Sequence, residues 1–153
     1  DFHAASALAS SFSERDFHLL HPGGRLGALL KFVRDVMNTG VSVPLVPLGA
    51  RMSDAIVEIS AKGVGCVGIV DAAGQVVGII TDGDLRRNMR PGLTEASVDD
   101  IMTRGPKTCR PDQLVSEVIE ILNSSKITTI FVVEKAKPVG IVHLHDLLRI
   151  GVV

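Results

Sequence analysis

Gly78-Ile79-Ile80-Thr81-Asp82-Gly83-Asp84, running on into Leu85-Arg86-Arg87, is the stretch relative to which the rest of the chain can be placed. A glycine and two apolar residues, then a hydroxyl and, three positions on, a carboxylate read as the end of a buried strand turning into a helix. That junction puts the Thr81 hydroxyl, backbone N–H groups not yet used by the helix and the Asp84 carboxylate at one mouth. A carboxylate accepts from two vicinal hydroxyls, and N–H groups at a helix start favour an anion, so the group suits a ribose with a phosphate nearby. The same residue types also begin helices without any ligand, with Thr81 and Asp84 simply capping the turn. On these residues alone both readings stay open.

Composition narrows the classes. A chain of 153 residues is long enough for one compact domain or for two small units sharing a core. A hydrophobic content of 46% predicts a well-buried interior, and a net charge of -1 provides no field to attract nucleic acid or an anionic membrane. With no Trp and no Tyr there are no large aromatic platforms on which bases of a single strand would stack. Cys66 and Cys109 are far apart and flanked by apolar residues, which argues against a redox pair or a zinc site and for reduced thiols in a cytoplasmic protein. The longest apolar run, Val64 to Val70, is far shorter than the roughly 18 residues that begin to suggest a spanning helix. No secretory signal is evident, and the chain opens on Asp in mid-pattern, as a piece of a longer protein would.

Going back to the start, Ala5, Leu8, Ala9 and Phe12 fall on one face of a helix over Phe2 to Phe12. His21-Pro22-Gly23-Gly24-Arg25-Leu26-Gly27 then forces a special turn before a second helix near Ala28 to Val33. From Asp35 the chain repeats itself. Asp35-Val36-Met37 returns as Asp100-Ile101-Met102, and the helical set Met52, Ala55, Ile56, Ile59 returns as Val115, Val118, Ile119, Leu122. Cys66-Val67-Gly68-Ile69-Val70 is matched by Thr129-Ile130-Phe131-Val132-Val133, and Val77-Gly78-Ile79-Ile80 by Val139-Gly140-Ile141-Val142. The offset drops from 63 (Ser53 to Ser116) to 62 (Gly78 to Gly140), so the second hairpin turn is one residue shorter. Each half reads as strand, helix, strand, hairpin, strand, helix. A unit of about 60 residues is marginal alone, so the two halves are expected to pack as a mixed α/β (α+β) pair with pseudo-two-fold symmetry.

Residues 35 to 153 thereby resemble a tandem pair of cystathionine-β-synthase-type (CBS) domains, and Gly78 to Asp84 fits that family's ribose motif of Gly, two apolar residues, Thr or Ser, two variable residues and Asp. The resemblance implies nucleotide ligands in clefts between the paired domains. Thr81 and Asp84 would hold the ribose, with Gly65 and Cys66 of one half and Thr128 and Thr129 of the other lining base and sugar, helped by strand-entry residues near Val43 and Thr108. The second copy keeps Gly140 and Asp146 but places His143 where the hydroxyl belongs. An imidazole still bonds a phosphate or carboxylate but is larger, so the two sites are expected to differ.

The flanking segments, His21-Pro22-Gly23-Gly24 and Leu26-Gly27 before the repeats, Leu85-Arg86-Arg87 after the motif and His143 to Arg149 near the end, are similar to the bacterial D-arabinose-5-phosphate isomerase family. Its members join a sugar isomerase (SIS) domain to a CBS pair and interconvert ribulose 5-phosphate and arabinose 5-phosphate for Kdo and lipopolysaccharide synthesis. The resemblance implies a SIS tail and linker at 1–30 and CBS domains at 31–95 and 96–153. It also gives His21 a catalytic role in the intact parent, while this chain, lacking the family's other active-site groups, would not turn over substrate. Pathway logic points to feedback by the nucleotide sugar CMP-Kdo, with no cofactor required. Adenosine nucleotides (AMP or ATP) or a purely structural oligomerisation role are the alternatives. The SIS domain of the same chain and further copies of it, as a homo-oligomer, are the expected protein partners.

Three other patterns lose to simpler readings. Gly63-Val64-Gly65-Cys66-Val67-Gly68 satisfies the dinucleotide GxGxxG string but follows a helix and opens a strand, the reverse of what that site needs. His143, His145 and Asp146 have no third His or Cys partner for a metal. Arg86, Arg87 and Arg90 suit either a solvated helix face or an anion contact.

Overall fold

The computed structural model describes residues 24–151. The helix expected over Phe2 to Phe12 and the turn carrying His21 lie outside them. Two sheets make up the strands. The first has the order β1 (Leu45–Pro47), β2 (Cys66–Val70), β3 (Val76–Thr81), β4 (Thr103–Arg104), with β1 parallel to β2 and the other pairs antiparallel. The second has β5 (Thr108–Cys109), parallel to β6 (Thr129–Glu134), which pairs antiparallel with β7 (Lys137–His143).

Helix α1 (Gly24–Leu29) precedes the first sheet, and α2 (Met52–Lys62) connects β1 to β2. A six-residue helix, α3 (Asp82–Arg87), follows β3, and α4 (Val98–Ile101) leads into β4. In the second half α5 (Val115–Ser125) connects β5 to β6, and α6 (Leu144–Arg149) follows β7. The two long helices bury the faces their periodicity picks out: Met52, Ala55 and Ile59 on α2, and Val115, Val118, Ile119 and Leu122 on α5. The helix expected near Ala28 to Val33 instead occupies Gly24–Leu29 among the described residues and stops at Leu29. Its continuation is lost because the N–H groups of Val33 and Arg34 donate to the carbonyls of Gln113 and Pro111, leaving only a 3₁₀ turn at Val33–Asp35.

The hairpins differ as the shortened offset requires. In the first, the Asp71 carboxylate accepts from the N–H groups of Ala73 and Gln75, and Gly74 takes the left-handed step. The second turns through Lys135 and Ala136, both with positive φ, the backbone a two-residue hairpin uses.

Each repeat's leading segment packs on the other repeat. Val33 is fully buried among Cys109, Val115, Val118 and Val142 of the second half, and Asn38 exchanges backbone hydrogen bonds with Ile141. In return Val98, Ile101 and Met102 complete the core of the first half with Met52, Ile59 and Ile80. A third apolar cluster joins the sheets: Cys66, Phe131 and Ile141, flanked by Val43, Leu45 and Ile79. Gly68 is required there, since a Cβ on it would stand 2.8 Å from the Phe131 ring. This exchange and the shared cluster hold the ends of β3 and β6 on either side of one cleft. Among the described residues no helix is long and apolar enough to cross a membrane.

Candidate functional site

The cleft has a volume of about 870 Å³ and is walled by both repeats and by the connector between them. Its first wall is the β3–α3 junction. Thr81 leaves the strand with extended backbone and is the N-cap of α3. Its hydroxyl accepts from the Asp84 N–H at 3.2 Å and donates to Asp84 Oδ2 at 3.1 Å. Oδ2 also accepts from the Thr81 N–H at 2.9 Å, which completes a reciprocal capping box. Asp84 is 7% exposed, and its other oxygen, Oδ1, is paired with Arg87 at 2.5 Å. The capping reading therefore holds, and the capping box orients the carboxylate with one oxygen anchored by Thr81. The partner on the other oxygen is a guanidinium whose side chain is 69% exposed, so the pair is screened by water.

Beside this junction lies the start of β2. Gly65 has φ +77 and its carbonyl accepts from the Asp82 N–H at 3.0 Å, so the strand entry and the helix entry are tied together. A Cβ on Gly65 would come within 3.3 Å of the Asp82 carboxylate. Cys66 stands in register with Thr81, and in the second repeat Thr129 stands in register with His143, the same step of the fold in both copies. Thr129 is buried and donates its hydroxyl to the Val64 carbonyl at 3.3 Å, crossing from one repeat to the other.

Seven of the eight residues expected to bind ligand line this cleft: Gly65, Cys66, Thr81, Asp84, Thr128, Thr129 and His143. Asp146 does not. It is buried behind the start of α6, where its Oδ2 accepts from the His143 N–H at 2.9 Å and from the Asn38 side-chain amide at 3.0 Å, and its Oδ1 is paired with Arg149. Val43 and Thr108 also stay out of the wall, the first packed between the sheets and the second paired with Phe131. Sequence reasoning missed the connector residues Thr103, Gly105, Pro106 and Lys107, and it missed Lys126 after α5. Superposing the repeats would have flagged Lys126, which stands where the first copy has Gly63.

His143 caps α6 with its ring: Nδ1 accepts from the His145 N–H at 3.0 Å. The proton of the neutral ring is therefore on Nε2, and Nδ1 is not available to a metal. Burial lowers the affinity of His143 for a proton, the neighbouring His145 adds to that, and Asp146 opposes it. Cys66 carries a thiol pushed up to about 12, first by burial and then by the charge of Asp82, so it lines the cleft as an apolar group and not as a nucleophile. Arg86, Arg87, Lys107 and Lys126 line the cleft together with Asp82 and Asp84, which leaves an excess of positive charge.

The arrangement can hold a sugar's hydroxyls at Asp84, a planar group beside Gly65 and Cys66, and an anion among the basic side chains. Comparison with known proteins agrees with a paired fold. The CBS domain profile matches residues 33–91 and 98–152. The arabinose 5-phosphate isomerase KdsD of Yersinia pestis is 41% identical over 148 residues, which are 95% of this chain and 45% of that protein. KdsD of Pseudomonas aeruginosa is 41% identical over 148 residues, 94% of this chain and 45% of that protein. The chain thus spans less than half the length of these relatives. Among solved structures, the CBS domain pair of protein MJ0100 in complex with 5′-methylthioadenosine and S-adenosyl-L-methionine is similar with a TM-score of 0.70 and 25% identity, over 78% of this chain and 94% of that one. With two profile matches in tandem, one on each half of the fold, the chain belongs to the CBS domain family as a domain pair.

Proposed function

We propose that this chain is the regulatory nucleotide-binding module of an arabinose-5-phosphate isomerase, and that it takes a nucleotide or nucleotide sugar such as CMP-Kdo. The observation that carries the reading is the meeting of Thr81 and Asp84 with Gly65, Cys66, Thr128, Thr129 and His143 in one cleft between the repeats. The 41% identity to KdsD proteins supports the choice of parent. The ribose hydroxyls donate to Asp84 in place of Arg87, and the released guanidinium is then available to a phosphate. An acidic sugar meets the Nε2–H of His143. A ligand in this position touches both repeats, so its binding free energy favours one arrangement of the pair over others, and that is what a regulatory module must transmit.

Catalysis belongs to the SIS domain of the parent, in the cytoplasm, where His21 would contribute; this chain alone does not isomerise arabinose 5-phosphate. Val57, Met89 and Leu148 are exposed apolar residues that support self-association into a homo-oligomer. A second reading, an adenosine-nucleotide sensor, is favoured by the adenosine-containing ligands of the MJ0100 pair. Titration calorimetry with CMP-Kdo, CMP, AMP and ATP decides between them. Heat from CMP-Kdo or CMP supports the cytidine reading, heat from AMP and ATP alone moves the assignment to the adenosine sensor, and silence from all four leaves a structural module.

A further inference from the structure

We infer that Asn38 is a positioning residue: its side-chain amide, carried on the leading segment of the first repeat, holds through Asp146 the strand end that presents His143 to the cleft. The cleft wall and the N-terminal entry to the pair are thereby joined by one side-chain hydrogen bond. That this bond responds to a ligand rests on the nucleotide reading above; that it holds the strand end does not.

The two repeats are built alike here except for one exchange. Asn38 pairs antiparallel with Ile141, two residues before His143, and Thr103 pairs antiparallel with Ile79, two residues before Thr81. His143 and Thr81 leave their strands at φ -108 and φ -110, and each is the N-cap of a six-residue helix. The carboxylate three residues on, Asp146 or Asp84, is buried in both copies. In both its Oδ2 accepts from the N-cap N–H at 2.9 Å and its Oδ1 is paired with an arginine, Arg149 or Arg87. The difference is the second donor to Oδ2. In the first repeat it is the Thr81 hydroxyl at 3.1 Å, so the box is closed by residues within three positions of one another. The neutral His143 ring does not give that bond, because its Nδ1 is an acceptor for the His145 N–H. Asn38 Nδ2 gives it instead, at 3.0 Å and from 108 positions away.

Asn38 is itself fixed to the leading segment. Its N–H and carbonyl exchange hydrogen bonds with Ile141, both at 2.9 Å, and its neighbour Met37 packs so closely on Gly140 that an added Cβ would stand 2.5 Å from the sulfur. The amide therefore moves with the segment. A buried carboxylate oxygen that loses a donor is costly, so the bond resists separation of the segment from the strand end. His143 lines the cleft and Asn38 does not, which places the two ends of this link on different surfaces. A ligand that shifts His143 changes the bonding of Asp146 and so the hold on the leading segment, and the coupling is reciprocal.

The experiment is a double-mutant cycle on the full chain, comparing wild type, Asn38→Ala, His143→Thr and the double variant by thermal unfolding. Asn38→Ala is expected to lower Tm by about 3–8 °C, the loss of one hydrogen bond to a buried carboxylate. In the His143→Thr background a hydroxyl stands where Thr81 serves Asp84, so the same change should cost less than half as much. Equal losses in the two backgrounds overturn the inference, since a packing role for Asn38 is not rescued by a hydroxyl; failure of both Asn38→Ala chains to fold counts as equal loss. The side-chain amide signals of Asn38 are then followed in the wild type during titration with CMP-Kdo and with ATP. Movement of those signals together with the His143 ring signals is expected. Movement of the His143 signals alone overturns the coupling to ligand. If neither probe moves any signal, the nucleotide reading falls, and the thermal cycle alone decides whether Asn38 holds the strand end.

Discussion

Met102 lies hard against Gly78: a Cβ added to Gly78 would stand 2.5 Å from the Met102 sulfur. The other repeat holds the same contact between Met37 and Gly140, again at 2.5 Å. The motif's glycine is thus a packing requirement, set by the methionine that arrives at the end of a leading segment. Gly78→Ala forces that sulfur aside and is expected to destabilise the chain by about 1–3 kcal/mol, the usual cost of overpacking. Denaturant unfolding measures it. Adding Met102→Ala should recover part of the loss, and a double variant less stable than either single one would show that the contact is not the cause.

Asp84 serves both the fold and the proposed site. Asp84→Ala removes a capping box and should cost about 1–2 kcal/mol of stability. It should also weaken a ribose-bearing ligand by about 1.5–3 kcal/mol through lost charge-assisted hydrogen bonds, read by calorimetry. A stability loss with unchanged ligand affinity would reduce Asp84 to its capping role.

Arg87 contacts the same carboxylate from a mostly exposed position, and an ion pair screened by water contributes little. Arg87→Met should therefore change unfolding stability by less than about 0.5 kcal/mol. A uridine or cytidine nucleoside that needs no phosphate contact should bind this variant at least as well as wild type, because Asp84 no longer has a competing partner.

Burial lowers the proton affinity of His143 below its ordinary value of 6.5, mainly through desolvation. In the window between the lowered value and 6.5 the unfolded chain binds more protons than the folded one, so stability rises with pH there and the full contribution is present above it. Acidification through that window also protonates Nδ1 and removes the acceptor that caps α6. Unfolding midpoints measured from pH 7.5 down to 5 should fall more steeply for wild type than for His143→Thr; parallel curves would remove His143 as the source.

Both thiols are buried and pushed up to about 12, Cys66 by burial and Asp82, Cys109 by burial against the weaker opposing pull of Arg110. Ellman's reagent at pH 8 should leave both unmodified in the folded chain and titrate both in denaturant. Rapid labelling of Cys66 in the native state would mean that the cleft opens to its floor.

Much of the architecture was legible because it is encoded locally. The apolar faces of α2 and α5 follow from a 3.6-residue period, and the buried strands from short apolar runs bounded by turns. A repeat offset of 63 that slips to 62 marked the shorter hairpin. The same repetition located Thr81, Asp84 and His143 at equivalent strand ends, and the register of β2 with β3 and of β6 with β7 brought Cys66 and Thr129 beside them.

Other features depend on contacts between residues distant in the chain. No local pattern announces that Val33 buries itself in the second repeat or that Val98 and Met102 complete the first, and it is this pairing that ends α1 at Leu29. Asp146 matches Asp84 in sequence, yet Asn38 arrives from the exchanged segment to occupy its carboxylate, and it stays behind the wall of the cleft. Lys107 and Lys126 carry no motif and face the opening because the connector and the end of α5 meet there. The sequence by itself determined the two repeats, their helices and strands and the ribose-type motif, since each depends on periodicity and turn chemistry within a few residues. Only the tertiary structure decided which carboxylate faces the cleft and which cations surround it, because those follow from packing across some 60 to 100 residues of chain.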